Sequence, residues 1–519
     1  MKRNLLLIAL CVPAALACTA SATIIYVDDD APPGGDGRSW STAYTYLQDA
    51  LVDANTAEKP VDIHVAQGLY CPDRNSAHPQ GTRDRAATFR LIDDVAIRGG
   101  YAGGNAPDPN ARDIVLYETV LSGDLAGDDV SVADPCDLLT EPTRAENSYA
   151  VATAGPCSRS AVLEGLVVCS GNAIGPERHQ VHQTGAGLLL SQYGADCCPS
   201  IRDCTFRGHC AHRGGAAYVI GARPELVNCR FLHNAAVQGG AIEISEWRVP
   251  WSSACNFVIR RCRFVGNYAA DAGGAVHMGA GPRFAIDGST FGRNVAGIGG
   301  AMHIAVEADV TSCLFTENTA TESGGALYCD GYNLNITSCT FSGNTAPAGL
   351  ALTCFTPVTT IANTIFWNGG DDRHAEIFIG AITGMDARYN NIQGGWPLGE
   401  GNIDADPMFA DPDNGDYHLK SQAGRWNAVT ESWVQDDVTS PCIDTGDPNS
   451  PIGYEPFPNG GRINMGAYGG TAEASKSYFG EPVCQTVIAG DINGDCRVDF
   501  ADLAILLKHW LDRGEQGQE

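Results

Sequence analysis

Cys262-Arg-Phe-Val-Gly-Asn-Tyr-Ala-Ala-Asp-Ala-Gly-Gly-Ala-Val-His-Met278 holds, in order, an aromatic residue (Phe264), an asparagine three residues on (Asn267), a Gly273-Gly274-Ala275 corner and a short apolar strand. The same phrase recurs as Phe231, Asn234 and Gly239-Gly240-Ala241, as Phe291, Asn294 and Gly299-Gly300-Ala301, and as Phe315, Asn318 and Gly324-Gly325-Ala326. Looser copies flank these, with Phe206, His209 and Gly214-Gly215-Ala216 before, and Phe341, Asn344 and Gly349 after. Phenylalanines from Phe206 through Phe231, Phe264, Phe291, Phe315 and Phe341 to Phe366 are 25, 33, 27, 24, 26 and 25 residues apart. A period of this size means stacked structural units, each contacting its neighbours, in place of one globular core.

Within a unit, Cys229-Arg230-Phe231 and Cys262-Arg263-Phe264 alternate apolar and polar, as do Ile242-Glu243-Ile244, Val276-His277-Met278 and Met302-His303-Ile304. Alternation of period two is the mark of strands with one buried face. Each unit therefore supplies at least two strands, split by a corner carrying Asn and Gly, the residues that tolerate positive φ. No run in the repeats carries a 3.6-residue apolar stripe, which excludes a helical solenoid. The leucines that a leucine-rich repeat needs are also missing. The reading is an all-β chain wound as a parallel β-helix, rising about 4.8 Å per turn. Equivalent positions then pile into ladders: Cys204, Cys229, Cys262, Ser289, Cys313 and Cys339 inward beside the phenylalanines, as core. Cys329 and Cys354, one turn apart, are the first disulfide pair to test.

The Phe, Asn and Gly-Gly-Ala phrase resembles the polymorphic outer membrane protein repeat and, more broadly, the pectin-lyase-like β-helix, over about residues 200–350. The resemblance implies a right-handed single-stranded coil, and activity only weakly.

Lys2 and Arg3 precede an apolar run from Leu5 to Ala17, and Ala20-Ser21-Ala22 offers a small-residue cleavage site, so residues 1–22 read as a secretory signal. Ala15-Leu16-Ala17-Cys18 offers a lipoprotein variant of it. No second long apolar stretch follows, which predicts an exported chain with no transmembrane span. Of 20 cysteines, 18 lie beyond residue 22, a number suited to disulfides in an oxidising space. A net charge of -28 speaks against nucleic acid and anionic membranes as partners.

Residues 23–160 read as an N-terminal cap and irregular first rungs. Strands are predicted at Ile24–Val27, Val61–Val65, Thr88–Ile92, Val95–Arg98, Val115–Leu121 and Val162–Val168, and a short helix around Tyr46, Leu47, Ala50 and Leu51 covers the open end of the stack. Residues 161–366 are the repeats. Residues 367–475, richer in Gly, Pro and Asp, read as final rungs and a cap; Asp406-Pro407-Met408-Phe409, Ser440-Pro441-Cys442-Ile443-Asp444-Thr445-Gly446 and Ile463-Asn464-Met465-Gly466-Ala467-Tyr468-Gly469-Gly470 resemble a choice-of-anchor segment.

After a linker at 476–489, a small α-helical calcium module spans 490–513. Asp491, Asn493, Asp495, Asp499 and Asp502 occupy positions 1, 3, 5, 9 and 12 of a loop, with the Arg497 carbonyl at position 7. This spacing turns oxygen ligands toward one Ca²⁺. Leu503, Leu506, Leu507 and Trp510 follow as one helical face to pack. The spacing resembles a single dockerin calcium repeat, which implies a cohesin-like or cell-envelope partner. It departs from the pattern in having Cys496 where glycine is usual, able to pair with Cys484, and in having one copy where two are normal.

The outward position after each Gly-Gly-Ala reads Tyr218, Glu243, His277, His303, Tyr328 and, with one residue of slippage, Thr353. On consecutive rungs these form one exposed stripe. Beside it, the 33-residue unit inserts Trp247 and Trp251, a platform for sugar rings. Glycoside hydrolysis needs two carboxylates a fixed distance apart, and Glu243 has no acidic partner on the neighbouring rungs. The sequence therefore favours a non-catalytic surface or extracellular protein that binds a polysaccharide or cell-surface glycan; the alternative is a polysaccharide lyase or glycoside hydrolase of pectin-lyase-like fold.

Overall fold

The computed structural model describes residues 22–174, 183–191, 197–245, 257–279, 281, 283–370, 375–380, 384–478, 498 and 500–509. Among these, four parallel sheets of twelve, eleven, six and ten strands make up a coil, the six-stranded one only over the rungs between Asn172 and Ser323. The chain visits them in turn. One rung is Glu225–Val227 in the first sheet, Arg230–Leu232 in the second, Ala235–Gln238 in the third and Ile242–Ser245 in the fourth. The next rung repeats this one strand along, with Phe231 opposite Phe264 and Glu243 opposite His277. The parallel β-helix predicted from the period is the fold, with four strands per turn where the alternation required at least two.

Three ladders run along the coil, two at its corners and one inside the second sheet. Between the first and second sheets lie buried thiols: Cys204, Cys229, Cys313 and Cys339 are fully buried, and burial pushes the Cys204 thiol up to about 12. The second sheet carries the phenylalanines, whose rings stack from Phe206 to Phe366 at 4.7–5.1 Å between centroids. At the second-to-third corner, the Asn267 amide donates to Asn294 Oδ1 at 2.9 Å, Asn294 to Asn318 and Asn318 to Asn344 likewise. Here the sequence reading is corrected: positive φ belongs to the preceding residue (His233, Arg293, Glu317), while asparagine serves as a buried amide that satisfies the turn's polar groups.

The third-to-fourth corner is the Gly-Gly pair. The first glycine has φ near +60° at Gly273, Gly299 and Gly324. At the second, a Cβ on Gly300 would stand 2.2 Å from the Gly325 carbonyl oxygen.

Cys329 and Cys354 are in register, as predicted, yet both are free thiols. Side chains on neighbouring parallel strands point the same way about 4.8 Å apart, beyond the Cβ separation of about 3.8 Å that a disulfide adopts.

The N-terminal helix α1, Leu47–Thr56, buries Leu47, Ala50, Leu51 and Ala54 in the shaft's core. The predicted strand at Val115–Leu121 starts later, at Thr119, because Asp113 Oδ1 accepts the amides of Val115 and Leu116 in a turn. The C-terminal region departs from the predicted cap. After the last rung, Asn391–Ile392, the chain folds back along the second sheet, and Phe409, Tyr417, Leu419, Cys442, Ile443, Met465 and Ala467 cover Leu314, Ile365 and Tyr389. The cause is the outward row of that sheet, which changes from Arg230, Arg263 and Thr290 to Leu314, Thr340 and Ile365 and needs a cover. The result is a buttress on the flank.

Helix α2, Phe500–His509, stands where the calcium module is predicted. Asp502 on it is buried, while Leu503, Leu506 and Leu507 are exposed, so the face predicted to pack is open among the described residues. Asp491, Asn493, Asp495, Arg497, Asp499 and Trp510 lie outside the described residues. No helix among the described residues is long and apolar enough to cross a membrane.

Candidate functional site

The fourth sheet brings the predicted stripe into strict register. Tyr218 pairs with Glu243, Glu243 with His277, His277 with His303, His303 with Tyr328, Tyr328 with Thr353 and Thr353 with Phe378. The slippage predicted at Thr353 does not occur. The stripe is also less exposed than the alternation implied: Tyr218, Glu243, His277, His303 and Thr353 are buried, and Tyr328 is half-buried. The reason is a crease where the third and fourth sheets meet. Arg213, at the end of its third-sheet strand, donates to the Tyr218 hydroxyl at 3.2 Å and pairs with Glu243. Further along the crease, Ser323 Oγ lies 2.7 Å from Thr353 Oγ1.

Charge along the crease is locally balanced. Burial works to lower the Arg213 pKa, but the Glu243 carboxylate overrides it and holds the guanidinium above its ordinary range. Glu243 Oε1 also lies 3.4 Å from His277 Nδ1. His303 Nε2 lies 3.0 Å from Asp330 Oδ1, and this hydrogen bond holds the Asp330 carboxyl below its usual value. Glu243 Oε2 and His303 Nδ1 have no hydrogen-bond partner among the described residues.

Aromatic rings continue where the charges stop. His277 stacks on His303 at 4.9 Å, His303 meets Tyr328 edge-on at 5.3 Å, Tyr328 meets Phe355 at 5.8 Å and Phe355 meets Phe378 at 6.3 Å. Phe355 and Phe378 are 44% and 43% exposed, so the train opens onto solvent at its C-terminal end. Sequence reading missed both phenylalanines, although Phe378 follows Thr353 by the same 25 residues that separate Thr353 from Tyr328. Trp247 and Trp251, in the insertion that leaves the fourth sheet at Ser245, lie outside the described residues.

Among the described residues of the stripe, Glu243 and Asp330 are not spaced as a hydrolase pair. Glu243 and Asp330 belong to rungs three apart, about 14 Å of stack at the strand spacing, against roughly 5–9.5 Å between the carboxyl groups of glycosidases. The two stacked imidazoles stand between them.

Residues 312–330 match a family model described as the Chlamydia polymorphic membrane protein repeat, and residues 380–446 match one described as disaggregatase related. No curated protein matches the chain. Among solved structures, the crystal structure of pectate lyase Pel9A is similar at 13% identity with a TM-score of 0.46, covering 86% of this chain and 96% of that one.

Proposed function

We propose that the chain is an exported, non-catalytic surface or extracellular protein that holds a glycan along the crease of its fourth sheet. The observation that carries this reading is the ring train from His277 to Phe378, which ends in two exposed phenylalanines. Sugar rings present apolar C–H faces that lie against aromatic rings, while their hydroxyls seek polar groups alongside; the exposed Asp330 is such a group. The likeness of residues 312–330 to a repeat of polymorphic membrane proteins supports a surface location. Residues 1–22 would export the chain. The calcium loop from Asp491 to Asp502 would clamp its C-terminus for attachment to a cohesin-like or envelope partner.

A degradative enzyme finds less support, because Glu243 is neutralised by Arg213 and is separated from Asp330 by two rungs. The test is an immobilised glycan panel probed with the full mature chain in calcium, followed by chain-length analysis of every glycan retained. Retention with unchanged chain length is the expected result. Unsaturated or reducing ends appearing on incubation would replace this reading with the enzymatic one.

A further inference from the structure

Between the strands Thr119–Ser122 and Ala152–Ala154 the chain leaves the shaft on an excursion, residues 123–147. A loop that opens with Asp124 leads into two short helical turns, Pro135–Leu139 and Pro142–Arg144, and Leu138 packs on Cys210 and Ala235 of the third sheet. The two ends of the excursion meet at its root. There the Ser148 amide donates to the Gly123 carbonyl at 2.8 Å, and Asp124 and Asp128 from one end gather with Glu146 from the other. One oxygen from each of these three carboxylates lies within 4.8 Å of the other two.

A cluster of carboxylates is common without a ligand, but here buried oxygens beside it are left over. Asn147 is fully buried and turns its side chain into the same loop, where its amide donates to both oxygens of Asp129 at 3.1 Å. Its Oδ1 has no hydrogen-bond partner among the described residues, and neither has the buried Oε1 of Glu146 next to it in the chain. Native folds pair nearly all such atoms, because a buried oxygen that has lost water and gained nothing is destabilising. The other close acidic group, Asp28, Asp29 and Asp30, leaves no such oxygen among the described residues: Asp28 accepts the amides of Asp30 and Gly104, and Asp29 accepts that of Leu69.

The nearby arginines do not close the cluster. Arg144 Nη2 stands 3.5 Å from Asp129 Oδ2 while its Nη1 donates to the Gly208 carbonyl, and Arg85 donates to the carbonyls of Asn147 and Asn172. Among the described residues, no cation lies within ion-pair distance of Asp124, Asp128 or Glu146. Burial, and then the charges of Asp128, Asp129 and Asp124, push the Glu146 carboxyl above its ordinary value.

We infer that Asp124, Asp128, Glu146 and the side-chain carbonyl of Asn147 bind one Ca²⁺, which clasps the root of the excursion to the shaft. All four ligands are oxygens, the donors a hard cation takes, with none of the nitrogen or sulfur that zinc and copper favour. Oxygens bound to one Ca²⁺ at roughly 2.3–2.6 Å stand up to about 5 Å apart, and the 4.8 Å spread of the three carboxylates fits that span. Asp124 is already set in place, since its carboxylate accepts the amides of Gly127, Asp128 and Asp129. Water completes the shell. The site shares no residue with the crease or with the C-terminal loop from Asp491 to Asp502.

The probe is calcium alone, added to the full mature chain as wild type, as D491N/D495N and as D124N/E146Q. Calorimetry on D491N/D495N should count one bound calcium; because the C-terminal loop is disabled in this chain, a failure of that loop's reading leaves the result untouched. With calcium at about a hundred times the measured Kd, binding can slow local opening by up to about a hundredfold. Hydrogen exchange across residues 123–147 should accordingly slow at least about tenfold in wild type and in D491N/D495N, and D124N/E146Q, with an unchanged circular dichroism spectrum, should lose that slowing. No bound calcium in D491N/D495N, exchange across residues 123–147 indifferent to calcium in the two chains that keep the site, or equal slowing in D124N/E146Q would overturn the proposal.

Discussion

Asn294 shows how one side chain holds two turns of the coil. Its Oδ1 accepts from the backbone N–H and the side-chain amide of Asn267, and its own amide donates to the Phe264 carbonyl and to Asn318. Asn294→Ala strands both Asn267 donors and the Phe264 carbonyl in a fully buried corner. Each such loss costs on the order of 1–3 kcal/mol, so the variant should be destabilised by about 3 kcal/mol or more. Hydrogen exchange should show the loss concentrated in the rungs on either side of Asn294, because stability in a solenoid is a sum of neighbouring contacts; an exchange pattern equal to wild type would sink this account of the ladder. The spacing of Phe and Asn made both ladders legible in the sequence. The asparagine's chemistry was not, since the residue type is compatible with positive φ and with a buried amide bond alike, and only the register of successive turns separates the two. Phe355 and Phe378 were hidden for a related reason: they lie beyond Gly349, where the Gly-Gly-Ala phrase thins out, although the 25-residue step continues.

Each corner of the coil is built from a different chemistry, and the glycine corner is the least forgiving element. A methyl group on Gly300 would meet backbone atoms of the next turn at 2.2–2.7 Å, whereas on Gly292 it would meet the Thr316 hydroxyl at 3.3 Å. Gly300→Ala should therefore block soluble expression of the folded shaft, and Gly292→Ala should be tolerated; soluble yield and protease resistance report both, and a protease-resistant Gly300→Ala chain would contradict the close packing described. The flank buttress has its own control, a pH-sensitive clasp. His418 is buried and stacked on Tyr468 at 3.7 Å, with Asp416 Oδ1 at 2.7 Å and Glu473 Oε2 at 3.2 Å. Burial alone would lower its pKa, but the two carboxylates raise it above 6.5. Its stabilisation is thus complete below the unfolded value near 6.5 and is lost as pH rises through the higher folded value. Glu455, lifted to about 7 by burial, acts in the same sense, because its neutral form is the one the fold favours and that form is lost as pH rises. Residues 405–477 should open more readily at pH 8.5 than at pH 6, as read by the cleavage rate of a protease active at both, and His418→Gln should remove part of the difference. A rate that falls with pH would refute the clasp.

At the scale of the molecule, the coil gives each face its own character at no cost to the core. The first sheet is laced with ion pairs, the second carries Arg207, Arg230 and Arg263 before the stretch covered by the buttress, and the fourth carries a crease that opens into aromatic rings. The cores of these faces were readable from the repeat, because buried positions recur every turn. The creases and grooves were not, because they depend on where neighbouring sheets and the returning chain meet, which no local period encodes. Titration calorimetry of a glycan retained by the full mature chain, compared with Phe355→Ala/Phe378→Ala, tests the glycan-holding crease most directly. Truncation at a binding hot spot costs about 2 kcal/mol or more, so the account predicts a Kd at least about thirtyfold weaker in the variant, with glycan length unchanged in both samples; an unaltered Kd, or a glycan shortened by the wild-type chain, would contradict it.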